Sequence, residues 1–370
     1  MSIYWIIVAL VIVFGIMLPQ DGVYRKYYIW IMAVLHAFVC GFRYMYLTGD
    51  LIKYANDYRA MLNYGWFSDE VFQGGRNTAF SWLMKLVSSW THGDFQAFLI
   101  VLAVITQIIV AVLIYKYSPK PWLSYLVYNC MGFYVAGFSL IKQYLAMAVI
   151  MWAAMAIFEK KPVKFLVLTL IAGAVHMPAL CFLPAYFIAN RRINAPTLLV
   201  YIMGAVAIYL SRTWIVGFVA DFYYEEETFR LASSTLGGRF LVIVIILVAG
   251  FLIRGFREKN YERLYNIIIV AAIFQMFSGF DNVFTRLADY YLQFLVLFIP
   301  MIFYSSSGQV EINKEAVNPL LAFEKRDFRI MVMLLVVILI WWYHTTCIGV
   351  TIEYALDDYT NFRFMWEVVQ

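Results

Sequence analysis

Charge is scarce in this chain: only 14% of its 370 residues are Asp, Glu, Lys or Arg, against 64% hydrophobic. A soluble domain cannot hide that much apolar surface, so the soluble classes are excluded and a polytopic membrane protein is expected. Cysteine is equally sparse. Cys40, Cys130, Cys181 and Cys347 stand in apolar segments at no metal-ligand spacing and read as inert core thiols. No run of four or more Lys or Arg occurs, and a net charge of +5 is what cytoplasmic loops contribute by themselves, so nucleic acid is not an expected partner. HExxH, a DxD pair, a P-loop and GxSxG are all missing, and His36, His92 and His344 share no ligand spacing. Neither a metal nor any other cofactor is expected. Residues 1–18 have no basic n-region and no small-residue cleavage site, and read as a retained first span.

What the chain has in quantity is long apolar runs and aromatic rings. Its 28 Tyr, 31 Phe and 11 Trp suit the anchoring of many helix ends at two interfaces. A hydrocarbon layer of about 30 Å needs roughly 20 helical residues, fewer where neighbours shelter the helix. That ruler marks twelve apolar segments: 3–19, 27–47, 94–115, 122–138, 141–158, 163–175, 177–189, 197–211, 239–254, 264–280, 285–304 and 329–349. The expected fold is therefore all-α, a polytopic membrane helix bundle forming one integral domain over 1–370. Three polar excursions interrupt it. Residues 48–92 are expected to hold two amphipathic helices, near 51–64 and 77–90; 212–238 carries the acidic run Glu225, Glu226 and Glu227; and 305–328 is polar and carries Lys314, Lys325 and Arg326.

Lys and Arg in short loops set the orientation. The pairs Arg25 and Lys26, Lys116 and Lys120, and Arg191 and Arg192, the triplet Lys160, Lys161 and Lys164, and the groups in 254–263 and 314–329 all fall on one side only if 163–189 makes two passes. Each pass of 13 residues would be only about 20 Å long, too short to cross a bilayer unaided. His176 and Pro178, within AGAVHMPAL, would then sit at the tip of a shallow hairpin in the outer half of the membrane. On this topology both chain ends, 48–92 and 212–238 are extracytoplasmic and 305–328 is cytoplasmic. The unusual polar residues gather at the extracytoplasmic side.

Each of those residues has a structural reading beside a functional one. Arg43 is either an arginine snorkelling to the head groups or a fixed cation that grips phosphate oxygens bidentately. Asp50 suits a helix cap and is also a candidate base. Lys142 and Gln143 open a helix whose N-terminus favours an anion, while lysine also anchors at interfaces. His176 has no carboxylate near it in sequence, and an unpartnered imidazole at membrane depth is costly. Arg239 follows Gly237 and Gly238, which let backbone N–H groups approach an anion. Arg286 has Asp289 three residues on, so a local ion pair competes with ligand binding. Trp66, Phe67, Phe72, Trp82 and Trp90 read as a sugar-stacking surface or as an interfacial belt.

Taken in order, Arg43, Gly49 with Asp50, Tyr54, Lys142-Gln143 with Leu145-Ala146, Ala172 to His176 with Ala179-Leu180, and Arg286 with Tyr290 and Pro300 resemble the EpsG family of Wzy-like exopolysaccharide polymerases. The chain departs from that pattern in carrying Lys142 where the family usually has arginine, and in its Gly74-Gly75-Arg76-Asn77 stretch. The resemblance implies a GT-C-like membrane glycosyltransferase of a bacterial inner or cell membrane, acting at the outer face. Its substrates would be polyprenyl-diphosphate-linked oligosaccharide units of exopolysaccharide or O-antigen type, and a chain-length regulator would be a partner. On this reading His176 and then Asp50 are the candidate catalytic bases. Arg43, Arg286, Arg239 and Lys142 would face the diphosphate, with Gln143, Tyr54 and Tyr290 at the substrate. Two rivals are a flippase or transporter of lipid-linked sugar, for which no second copy of the broken hairpin is found, and a membrane acyltransferase, for which His176 lacks a partner at helical spacing.

Overall fold

The computed structural model describes residues 2–45, 49–72, 75, 77–215, 217, 237–254, 258–279, 282–305, 308–309, 325–349 and 362–367. The acidic run 225–227, Gly74, Arg76, Asp281 and most of 305–328 lie outside them. Each of the twelve expected apolar segments overlaps helix. The main helices are α1 (Ser2–Met17), α2 (Gly22–Gly41), α3 (Gly49–Ala60), α4 (Thr78–Thr91), α5 (Phe95–Tyr117), α6 (Pro121–Cys130), α7 (Ile141–Phe158), α8 (Pro162–Val175), α9 (Ala195–Leu210), α10 (Gly238–Arg254), α11 (Lys259–Gln275), α12 (Asn282–Leu292), α13 (Leu295–Phe303) and α14 (Lys325–Trp342). Extended pairing among the described residues is confined to Tyr304–Ser305 with Gly308–Gln309 and a bridge between Arg43 and Phe364.

Helix starts and stops follow local chemistry. Proline opens α6, α8 and α9 at the first turn, where its missing N–H costs nothing. Asp94 and Asn194 accept from the backbone N–H groups of Gln96 and Thr197 at the starts of α5 and α9. By length and apolarity, Phe95–Tyr117, Ile141–Phe158 and Arg329–Thr346 are each able to cross a membrane alone, and Val283–Leu292 with Leu295–Phe303 makes a fourth span bent by 47°. Apolar helices Ile3–Met17, Pro162–Val175, Met177–Ala189, Ala195–Leu210 and Gly238–Ile253 are shorter. α7 is the buried centre of the bundle, with 83% of its span covered, whereas α14 is only 17% covered. No side chain of α9 is buried, and its Leu199, Val200, Met203 and Val206 stay exposed, as befits a surface that meets lipid.

The expected hairpin is present. α8 ends at Val175, His176 takes an extended backbone (φ −150°, ψ 107°), and a 3₁₀ turn over Met177–Phe182 leads through Pro184 to the short helix Ala185–Ala189. The chain doubles back on itself: Phe165 at the start of α8 lies 6.0 Å from Phe182 and 5.3 Å from Tyr186, ring centre to ring centre. At the tip the limbs nearly touch, because a Cβ on Gly173 would stand 2.3 Å from Leu180. Glycine is what lets them close.

The amphipathic pair in 48–92 forms α3 and α4. Leu51, Ala55 and Tyr58, spaced to share one face, are fully buried and seat α3. Tyr58 bonds Thr91 at 2.7 Å and stacks on Phe98, Ser88 donates to the Tyr58 carbonyl, and Lys85 donates to the Met61 carbonyl. α4 in turn reaches the hairpin tip, where the Met177 N–H donates to the Asn77 side-chain oxygen at 3.2 Å. Asn77 holds a left-handed backbone at φ 53° in doing so, a conformation asparagine tolerates better than most residues. This brings the start of α4 against the hairpin tip, one residue from His176.

Candidate functional site

α7 sorts the polar residues by its two ends. Beyond its C-terminal end Glu159 is ringed by Lys161 at 3.0 Å, Lys164 at 3.3 Å and Lys116 at 4.0 Å, and Arg263 donates to the Phe158 carbonyl. Beside this end Arg25 donates to the carbonyls of Ile114, Tyr115 and Ser118. The opposite end of α7, about 27 Å away for an 18-residue helix, carries Lys142 and Gln143 and meets α3, α12 and the hairpin tip.

There the side chains converge. The imidazole Nδ1 of His176 lies 2.6 Å from the Tyr290 hydroxyl, with the two rings stacked. Tyr290 is fully buried, while His176 is half-buried with Lys142 and Arg286 both within electrostatic range of its ring. The Lys142 ammonium rides over the rings of Tyr54, at 5.1 Å, and Phe80, at 5.4 Å. Gln143 donates to the Arg286 carbonyl at 3.3 Å and so ties α7 to α12. Arg286 itself is exposed and has no ion pair among the described residues. Asp289, the carboxylate three residues on that would compete for it, is taken by Arg239 at 2.6 Å.

Across from the cations stands one flank of α3. Asp50, Tyr54 and Asp57, spaced at i, i+4 and i+7, share that flank, each one residue before a member of the buried stripe. Burial pushes the Tyr54 hydroxyl up to about 12, with Asp50 and Asp57 adding to the rise and Arg286 opposing it, so Tyr54 remains a neutral hydrogen-bond donor. Asp57 is also within electrostatic range of Lys142. Asp57 is not among the residues singled out above, and its i+7 relation to Asp50 is the sequence signal that marks it. Asp50 is exposed at the first turn of α3.

The hairpin tip is held by two adjacent tyrosines of α12. Tyr290 reaches His176, and Tyr291 donates to the Cys181 carbonyl at 2.6 Å while packing on Phe182. The position of His176 is thus set from three sides, by α8, α4 and α12.

The structure does not bring Arg43 or the guanidinium of Arg239 into this group as free cations. Arg43 is 2% exposed; it donates to the Phe138 carbonyl at 3.2 Å, to the Gly137 carbonyl at 3.3 Å and to the Cys40 carbonyl, and lies over the Phe138 ring. The neighbouring backbone of Phe42 and Tyr44 pairs with 363–365. Arg43 is a cross-link between α2 and the turn before α7. Replacing it with lysine, a point donor that cannot span three carbonyls, is expected to cost about 1–3 kcal/mol of stability through the acceptors left unmet. The check is a lower Tm and folded yield in detergent with unchanged substrate KM per folded molecule. The aromatic residues of 66–90 form their own cluster, with Trp66, Phe67 and Phe72 all within 6.2 Å of Trp82, and Trp90 stands apart and exposed.

His36 is fully satisfied in the core. Its Nδ1 donates to the Met32 carbonyl at 2.7 Å and its Nε2 accepts from Asn129 at 2.9 Å. Among the described residues no group of three His, Cys, Asp or Glu is placed to hold a metal.

The apolar helices, several of them long and apolar enough to cross a membrane, define a helical membrane protein with a cluster of hydrogen-bonding and cationic side chains at one end. The sequence matches the EpsG family over residues 26–356, nearly the whole chain, and the protein belongs to that family. No curated protein and no solved structure is detectably similar to it.

Proposed function

We propose that the protein is a glycosyltransferase that polymerises lipid-linked oligosaccharide units into exopolysaccharide or O-antigen-type chains. The observation that carries this reading is the convergence of Lys142, Arg286 and His176, three groups that favour an anion, at the end of α7 remote from the Lys/Arg clusters. Family membership supports polymerase chemistry of this kind. The positive-inside rule supports a site on the extracytoplasmic side, and the family resemblance implies a bacterial inner or cell membrane and a GT-C-like arrangement of about twelve membrane segments.

The donor is the growing chain on polyprenyl diphosphate, of the undecaprenyl type, and the acceptor is a terminal hydroxyl of an incoming lipid-linked unit. The hydroxyl oxygen bonds to the anomeric carbon, the bond from that carbon to the diphosphate oxygen breaks, and polyprenyl diphosphate leaves. Negative charge grows on the departing oxygen, so Lys142 and Arg286 supply stabilisation that is greatest in the transition state. Such a leaving group is tethered in the membrane and needs cations at the interface rather than an enclosed pocket. His176 and Asp50 are the catalytic groups of this reading; Tyr54, Gln143 and Tyr290 line the site, and Arg43 and Arg239 act behind it. A chain-length regulator is a fitting partner.

The test is a strain without the gene, complemented with wild type or with His176→Ala at equal membrane levels, and a gel of its lipid-linked glycans. Single units on lipid at the outer leaflet in the null and the variant, and long chains with wild type, support polymerisation. Units trapped at the inner leaflet would make the protein a flippase.

A further inference from the structure

The hydrogen bond between Tyr290 and His176 fixes more than the position of the imidazole. Tyr290 is fully buried, and its hydroxyl has one partner among the described residues, Nδ1 of His176 at 2.6 Å. A buried hydroxyl needs an acceptor for its hydrogen, and in a neutral imidazole only the unprotonated nitrogen can serve. Were Nδ1 to carry the proton and donate, the Tyr290 hydrogen would be left without an acceptor, which disfavours that tautomer by roughly tenfold or more. The other ring nitrogen, Nε2, has no partner among the described residues, and the ring is half-buried within range of Lys142 and Arg286.

We propose that Tyr290 is a positioning residue that holds the proton of neutral His176 on Nε2, so that His176 acts as a hydrogen-bond donor to the leaving diphosphate and not as the base. This rests on the polymerase reading above for the identity of the anion. His176 keeps its proton throughout the step and shares it with the departing oxygen, beside Lys142 and Arg286. The proton of the attacking hydroxyl goes to the Asp50 carboxylate on the opposing flank of α3, and from there to solvent. The site is thereby divided into a donor wall built from α7, the hairpin tip and α12, and a carboxylate wall built from α3.

The experiment is nitrogen NMR of the full chain in lipid nanodiscs, labelled with ¹⁵N-histidine, with His176 assigned by comparison with His176→Gln. The expected result is a His176 spectrum with Nε2 protonated and Nδ1 not, which Tyr290→Phe converts into a mixture of tautomers. A wild-type spectrum with the proton on Nδ1 overturns the proposal. This readout needs no turnover, so it stands whether or not the polymerase reading does. A second arm measures elongation. His176→Gln, whose amide nitrogen supplies an N–H near the place of Nε2, is expected to elongate about tenfold or more faster than His176→Ala. Equal loss in the two variants overturns the donor role. A wild-type protein in the expected tautomer that binds lipid-linked units without joining them would defeat the polymerase reading and leave the tautomer assignment in place.

Discussion

Arg286→Ala is expected to slow chain elongation by about 10²–10³-fold, the loss typical of removing one preorganised donor aimed at developing charge. The guanidinium is exposed at the mouth of the site, with no ion pair among the described residues, while the backbone of the same residue is held by Gln143. Its removal therefore leaves the packing of α12 on α7 intact, and folded protein should be obtained at wild-type levels. Arg286→Lys should restore part of the rate, because the charge returns without the planar fork that meets two phosphate oxygens. Lys142→Ala acts on the same anion, so the double variant should lose less than the product of the two single losses. The measurement is the initial rate of joining lipid-linked units in nanodiscs, normalised to folded protein. A rate unchanged by Arg286→Ala would place the diphosphate elsewhere.

The helices and the hairpin could be read from the sequence because both are written in quantities a linear chain carries. Apolar run length sets a span, and the Lys/Arg clusters close on one side only if 163–189 turns back on itself. The fold-back of Phe165 onto Phe182 and Tyr186 has that origin. Contacts between distant segments are different in kind. Nothing in the run of residues near Arg43 distinguishes a guanidinium that looks outward from one that captures carbonyls 95 positions away at Phe138. The landing of Asn77 on Met177 likewise joins residues 100 apart. Local spacing also offered Asp289 as a competing partner for Arg286, but α10 brings Arg239 to it instead. Asp57 shows the reverse case, since its helical spacing from Asp50 and Tyr54 was available in sequence. Which flank of α3 meets Lys142 was fixed only by the burial of Leu51, Ala55 and Tyr58.

The pairing of Arg239 with Asp289 leads to the largest expected effect on stability. The two side chains are 22% and 17% exposed and lie 2.6 Å apart, joining the start of α10 to the middle of α12. Asp289→Ala leaves a largely buried guanidinium without its counter-charge, and breaking such a pair from one side costs about 3–5 kcal/mol, discounted toward the lower figure by the residual exposure. The loss should reach the site as well, because Tyr290, the next residue, holds His176. The double variant Arg239→Met with Asp289→Leu removes both charges and replaces them with apolar volume, which is often neutral or stabilising for a buried pair. Its Tm in nanodiscs should return to within a few degrees of wild type, while Asp289→Ala alone falls well below. Elongation should recover with it, since on this account Arg239 supports the position of α12 and leaves the diphosphate to Lys142 and Arg286. A double variant that regains its Tm and still fails to elongate would move Arg239 from the frame of the site to its anion-binding face.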